Sequence, residues 1–247
     1  MQHYHSALST SATPTTPDDL ISDGVFLRHF LLLIYDICVP MAAEEGGAGM
    51  WAEHLKNLRM IAVQRSERLG REPFPFILWA LCELDVRACL LGGGTCDFMQ
   101  TVIQRNMLPP LELQIPTLGP SMPGPYLPSE ANVFPSILNL NQGVTVHAGK
   151  LAQLAQRCRA EALSPGRSTS DVYARWQAAV SQVQNELLSF WAQNYPEFLG
   201  PQESPQAAFN LPFRVRWMFE HVSSAFDANR TIFTPFNTDT IPLHRHS

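Results

Sequence analysis

Apolar side chains recur along most of this chain at spacings of three and four residues, the period of an amphipathic α-helix. A first helix is predicted from Asp23 to Val39, and Pro40 ends it. A second helix is predicted to begin at Met50 and to end at Gly70. Charged residues lie away from its apolar face, which carries Trp51, Leu55, Leu58, Ala62 and Leu69.

Pro73 and Pro75 are predicted to open a third helix, because proline is tolerated in a first turn, whose N–H groups lack helical acceptors anyway. The run from Phe76 to Leu91 is apolar nearly all round, which is typical of a central, buried helix. Three glycines at 92–94 are expected to end it. Thr95 is predicted to cap a short helix that carries Phe98, Val102 and Ile103.

The proline-rich segment 108–135 has no helical period and is predicted to be a long loop. The next helix has apolar residues every seven positions, with alanines between them: Ile137, Val144, Leu151 and Cys158, then Ala148, Ala155 and Ala162. A short break at 164–166 separates it from another helix, which carries Trp176 and Leu187. The two helices form either a coiled-coil dimer seam or an intramolecular antiparallel hairpin, and the short break favours the hairpin.

The last predicted helix begins at Pro212, and no segment alternates apolar and polar residues over the length of a strand. The fold class is therefore predicted to be all-α, a multi-helix regulatory domain with a long helical hairpin in its second half. We expect a disordered lead-in rich in Ser, Thr and Pro at 1–22, a helical domain at 23–226 and an irregular tail at 227–247.

Charge and hydropathy narrow the classes of partner. The formal net charge is −5, and the basic residues are dispersed rather than gathered on one face. Because phosphate neutralisation dominates DNA binding, no direct DNA binding is expected from this chain. No targeting segment stands out, and the apolar run from Val25 to Val39 is too short to span a bilayer, so no membrane association is expected.

The five cysteines do not have the spacing of a metal site. Cys82, Cys89 and Cys96 are separated by six residues each. Cys82 and Cys89 lie two helical turns apart, about 10 Å along the axis, and no close Cys-x-x-Cys pair begins a tetrahedral site. We therefore expect buried thiols and no metal ligands.

Asp85 has two explanations, because a carboxylate inside an apolar helix is costly unless it is paired. One is a buried structural partner, such as an arginine from a neighbouring helix. The other is a polar anchor in a ligand cavity, and for this case we predict ligand contacts from Asp85, Trp79 and His54. No nucleophile or metalloprotease motif occurs, so no catalytic residue is predicted and the chain is not expected to be an enzyme.

One set of residues in the segment from Met50 to Pro110 carries a family resemblance: Trp51, His54, Leu55, Leu58, Arg65 to Gly70, Pro73 to Trp79, Asp85, Gly92 to Thr95, Phe98 and Leu108 to Pro110. Through these residues the segment resembles the regulatory domain of fungal zinc-cluster (binuclear zinc, six-cysteine) transcription factors. Three later segments also resemble that family: DVYARWQAAVSQVQNELLSF from Asp171, WAQNYPEFL from Trp191 and LPFRVRWMFEHV from Leu211.

The resemblance implies the regulatory domain of an RNA polymerase II transcription factor in the nucleus. Members of the family read DNA through an N-terminal zinc cluster that this sequence does not contain, so zinc is expected only in that missing cluster and no cofactor here. The chain is accordingly expected to be a truncated form of such a factor. The implied partners are a second copy in a homodimer, the transcription machinery or a small-molecule effector. The alternative function is a stand-alone helical module that senses such an effector.

Overall fold

A computed structural model describes residues 21–38, 50–70, 72–90, 96–108, 128–163, 169–199, 211 and 213–231. Within these ranges there are seven α-helices and no strands, which confirms the all-α prediction. The helices are α1 Asp23–Cys38, α2 Met50–Leu69, α3 Pro75–Leu90, α4 Asp97–Gln104, α5 Pro128–Ala162, α6 Thr169–Asn194 and α7 Phe213–Thr231. A short 3-10 helix, Glu197–Leu199, follows α6.

The chain divides into two compact units, Met1–Pro125 and Tyr126–Ser247. The first contains α1 to α4 and the second contains α5 to α7. The boundary falls inside the segment 108–135, where the sequence predicts a long loop. Residues 1–20 of the predicted lead-in and 232–247 of the predicted tail lie outside the described ranges.

The predicted loop ends too late, because α5 already begins at Pro128 and contains Pro135. Pro128 occupies the first helical position, where a missing N–H costs nothing. Pro135 lies inside the helix, where proline costs about 3 kcal/mol. The neighbouring Val133 and Ile137 pack into the core of the second unit, and this burial offsets the cost. Proline content alone was therefore misleading here.

The predicted tail begins too early, because α7 continues through residues 227–231. Phe226 stacks on Trp191 with ring centroids 4.2 Å apart, which anchors this end of α7 in the core. The buried side chain of Asn229 donates a hydrogen bond of 2.8 Å to the carbonyl of Ala225. Packing thus extends the helix beyond the point at which its apolar sequence pattern fades.

In the first unit, α1 and α2 pack antiparallel. Arg65 of α2 lies beside Asp23 at the start of α1, and His54 lies beside Asp36 near its end. The central helix α3 is buried on most sides, as predicted, and α4 packs against it. The buried residues of α3 are Pro75, Ile77, Leu78, Trp79, Leu81, Cys82, Asp85, Val86, Ala88 and Cys89.

In the second unit, α5 and α6 form an antiparallel hairpin, which confirms this part of the predicted fold. Side chains meet across the pair at both ends and at the middle: Asn139 with Asn194, Lys150 with Glu186, and Glu161 with Trp176. The predicted seam is buried between helices of one chain except at its last member, Ala162, which is half-buried. Its buried members are Ile137, Val144, Ala148, Leu151, Ala155 and Cys158.

Candidate functional site

Asp85 is the polar centre of the first unit, and its side chain is completely buried. Its Oδ1 pairs with the guanidinium of Arg59, which comes from α2. Its Oδ2 accepts a hydrogen bond of 3.1 Å from the backbone N–H of Phe98, the second residue of α4. The first N–H groups of a helix have no acceptor within that helix, so Asp85 caps α4 from a neighbouring helix.

The Asp85 geometry therefore matches the first of its two explanations, a structural partner provided by an arginine of another helix. Burial raises the pKa of Asp85 above its ordinary range, although the pairing with Arg59 and the Phe98 N–H both favour the charged form. Thr95, which the sequence suggests as the cap of α4, lies outside the described residues. The first residue before α4 that is described, Cys96, makes no side-chain cap and has a left-handed backbone with φ of 58°.

Trp79 is buried on the same helix as Asp85, with 7% of its surface exposed. The two residues are six positions apart, and at 3.6 residues per turn they point about 120° apart around the helix axis. They are consequently directed to different faces of α3.

His54 belongs to a second polar centre, between α1 and α2. Its Nε2 lies 3.3 Å from Oδ2 of Asp36, and its ring lies 6.4 Å from the ring of His29, centroid to centroid. Asp85 contacts Arg59 and Phe98 instead. The three residues predicted to contact a ligand are thus all buried in the first unit, but His54 and Asp85 engage different partners.

Arg65 is a buried residue that the sequence pattern of charges did not predict. In the sequence, Arg65, Arg68 and Arg71 are interspersed with Glu67 and Glu72, a pattern that predicts a solvated face rather than a nucleic-acid-binding patch. This prediction is wrong for Arg65, which has no exposed surface. Arg68 is exposed as expected, and Arg71 lies outside the described residues. A signal for burial was present, since Arg65 continues the three- and four-residue spacing of Leu55, Leu58, Ile61 and Ala62.

The partners of Arg65 explain how its charge is tolerated in the core. Its guanidinium donates two hydrogen bonds to the Glu72 carboxylate, at 2.9 and 3.0 Å. It also donates to the Asp23 carboxylate at 2.7 Å and to the Ile21 carbonyl at 2.5 Å. The group stacks 4.8 Å above the centre of the Phe26 ring. Burial disfavours the charged guanidinium, but the hydrogen bonds that it donates to Glu72 and Asp23 raise the pKa of Arg65 overall.

The three cysteines of the α3–α4 corner are buried thiols, as predicted. Burial raises the pKa of Cys96 to about 12, and a hydrogen bond with Cys89 contributes to the shift. Burial also raises the pKa of Cys82 far above its ordinary range. In the part of the chain that the structure describes, no three His, Cys, Asp or Glu residues are grouped so that they could hold a metal ion.

A wide, open groove of about 960 Å³ lies on the α5–α6 hairpin of the second unit. It follows one face of α6, and none of the three predicted ligand-contacting residues lines it. His147 of α5 closes one side, where its Nδ1 donates a hydrogen bond of 2.7 Å to the Gly143 carbonyl. The α6 residues that line the groove are Ala178, Ser181, Gln182, Asn185, Glu186, Ser189, Phe190 and Gln193.

None of the described helices is both long enough and apolar enough to cross a membrane. Comparisons of the chain with protein-family models, with curated proteins and with solved structures found no match.

Proposed function

We propose that this chain is the regulatory domain of a fungal RNA polymerase II transcription factor that acts in the nucleus. The observation that carries the proposal is the resemblance of the segment from Met50 to Pro110 to that domain of the zinc-cluster family. On this proposal the chain acts through contacts with other proteins, either a second copy or the transcription machinery. DNA binding and zinc belong to the family's cluster, and the chain itself is neither an enzyme nor a DNA-binding protein.

The packing of the first unit supports this proposal. Asp85, one of the residues that match the family, joins α3 to Arg59 of α2 and to the Phe98 N–H of α4. Arg65, another matching residue, joins Asp23 at the start of α1 to Glu72. A buried charge that keeps several partners fixes the arrangement of the elements that provide them. These residues suit a domain that presents a defined helical surface to a partner.

A reporter experiment tests the proposed function. The chain is inserted between a heterologous DNA-binding domain and a constitutive activation domain, and transcription of a reporter gene is measured in yeast. We expect output to differ, in either direction, from that of a fusion with an unstructured spacer of equal length. Asp85→Ala should abolish this difference at equal protein level, because it removes the partner of Arg59 and the cap of α4. Glu67→Gln, which disturbs only an exposed pair with Arg105, should preserve it.

Two results contradict the proposal. One is a reporter output equal to that of the spacer fusion at matched protein level. The other is an output that differs from the spacer but is unchanged by Asp85→Ala, because the effect then does not depend on the folded first unit.

One observation favours the alternative function, the sensing of a small-molecule effector. Both ring nitrogens of His54 are buried and make no hydrogen bond with the described residues, although Nε2 lies 3.3 Å from the Asp36 carboxylate. Asp85 is a weaker candidate, since both of its oxygens already accept from protein groups. A thermal-shift screen with small polar carboxylates and amides tests this alternative at constant pH. A compound that stabilises the chain but not the His54→Gln variant supports it, and equal shifts in both proteins count against it.

A further inference from the structure

Two histidines meet where α1 packs against α2. The rings of His29 and His54 lie 6.4 Å apart, centroid to centroid, and the residues are only 8% and 5% exposed. His29 belongs to the inward face of α1, together with Phe26, Leu32 and Leu33. Both imidazoles therefore lie within helix packing rather than at the surface.

Several buried polar atoms at this helix contact make no hydrogen bond with the described residues. His29 Nδ1, both ring nitrogens of His54 and Arg28 Nε are buried and make no hydrogen bond with any described residue. Buried polar groups are nearly always hydrogen-bonded, so several exceptions at one helix contact require an explanation. Neutral imidazoles suit such a place better than imidazolium ions, which carry a full charge and two donors.

The charges around the two rings differ. The Asp36 carboxylate lies beside His54, with its Oδ2 3.3 Å from Nε2. A proton on His29 is opposed by burial first, and then by electrostatic repulsion from Arg28 and His54. Arg28 and Asp36 come from α1 and His54 from α2, so both packed helices contribute to this balance. Protonation of His29 adds a positive charge beside Arg28 inside the helix contact.

We propose that His29 and His54 form an acid-sensitive joint that holds α1 on α2 while His29 is neutral and loosens when His29 is protonated. The joint would make the presentation of α1 dependent on pH below about 6.5, the ordinary pKa of histidine. This inference concerns the first unit alone and holds whether or not the chain regulates transcription.

The direction of the pH effect follows from linkage. In the packed state, burial lowers the pKa of His29, and when α1 detaches the group regains its ordinary value of about 6.5. The detached state consequently binds protons more strongly between these two values. The α1–α2 contact has its full stability above about pH 6.5 and loses it as the pH falls toward the packed-state pKa of His29. Within that window each pH unit raises the opening constant about tenfold.

Hydrogen exchange of the full chain tests the joint. Protection factors for peptides of α1 and α2 are measured from about pH 8 to about pH 5, the range in which histidines titrate, with α5 and α6 as internal references. We expect protection of α1 to fall relative to that of α5 as the pH drops below about 6.5, by at most about tenfold per pH unit. His29→Gln, which keeps a polar side chain but does not titrate, should remove this fall. His147→Gln, a buried histidine of the other unit, should leave it intact.

The inference is overturned if α1 of the His29→Gln variant loses protection in acid as strongly as α1 of the wild-type chain. If that variant does not fold, NMR titration of the wild-type histidine ring signals decides the question. We expect His29 to titrate below about 6.5, with amide shifts of α1 changing over the same pH range. Titration at or above that value, or α1 amide shifts that do not follow it, overturns the inference.

Discussion

Arg65 and Glu72 form a two-pronged, fully buried ion pair across the end of α2. The guanidinium Nε and Nη2 donate to the two carboxylate oxygens at 2.9 and 3.0 Å. Glu72 also accepts from the backbone N–H of Phe74 at 3.2 Å, just before α3 begins. The pair therefore determines how the chain leaves α2 and enters α3.

Replacing Arg65 by Met should destabilise the first unit by about 3–5 kcal/mol, because Glu72 then remains as a buried charge without its partner. Arg68→Met is the matched control, since Arg68 lies three residues further along the same helix and is exposed. This substitution should change the stability by about 0.5 kcal/mol or less. Hydrogen exchange of α2 peptides gives both values. A cost for Arg65→Met no larger than for Arg68→Met would show that the buried pair does not stabilise the unit.

Substitutions of Asp85 should separate its two partners. Asp85→Asn keeps an oxygen for the Phe98 N–H but loses the charge that pairs with Arg59, whereas Asp85→Ala removes both. We expect Asp85→Ala to be the more costly by about 1–2 kcal/mol, the value of a helix cap. The extra loss should appear as reduced hydrogen-exchange protection in α4. Equal protection of α4 in the two variants would contradict the capping role.

Gly143→Ala should destabilise the hairpin of the second unit although alanine favours helices. A Cβ at position 143 would overlap with Cζ of Phe190, so the ring must leave its place against α5. We expect a net cost of about 1–3 kcal/mol, as for other overpacked contacts, measured by urea unfolding of the full chain. Phe190→Leu should cost less in the Gly143→Ala background than in the wild type. Additive costs would mean that the two positions do not compete for the same space.

The cysteines should differ widely in reactivity toward a disulfide reagent such as Ellman's reagent. Cys38 is exposed at the end of α1, whereas Cys82, Cys89, Cys96 and Cys158 are buried. Because the thiolate is the reactive form, the raised pKa values of Cys82 and Cys96 add to their protection. We expect one rapidly modified thiol in the native chain and five in urea, and none rapidly modified in native Cys38→Ser. Mass spectrometry assigns the site, and labelling of Cys96 as fast as Cys38 would refute the α3–α4 packing.

Most helices could be predicted because their evidence is local. The start of α3 after two prolines, the end of α2 at Gly70 and the seven-residue seam of α5 depend on residues close together in sequence. The exceptions are the prolines at 128 and 135, whose meaning depends on whether the helix around them is buried. The high proline content of segment 108–135 predicts a loop, and only the packing of Val133 and Ile137 into the core explains why the chain is helical there.

The partners of the buried charges could not be predicted, because they are far apart in sequence. Arg65 was expected in solvent, although its spacing continues an apolar face, and its four polar contacts come from Ile21, Asp23 and Glu72. Asp85 was recognised as a residue that needs an explanation, and Arg59 and Phe98 provide one. The pairing of His29 with His54 had no signal in the sequence.

The helical fold class, the hairpin and the order of the helices follow from the amino-acid sequence alone, because periodicity, glycine and proline act over a few residues. The resemblance on which the proposed function depends is likewise a property of the sequence. Which charges are buried and what each one contacts depends on the packing, since burial and pairing require residues brought together from different helices. Asp85 illustrates the division: its position in an apolar helix marks it as unusual, but only the approach of α2 and α4 gives each oxygen a partner.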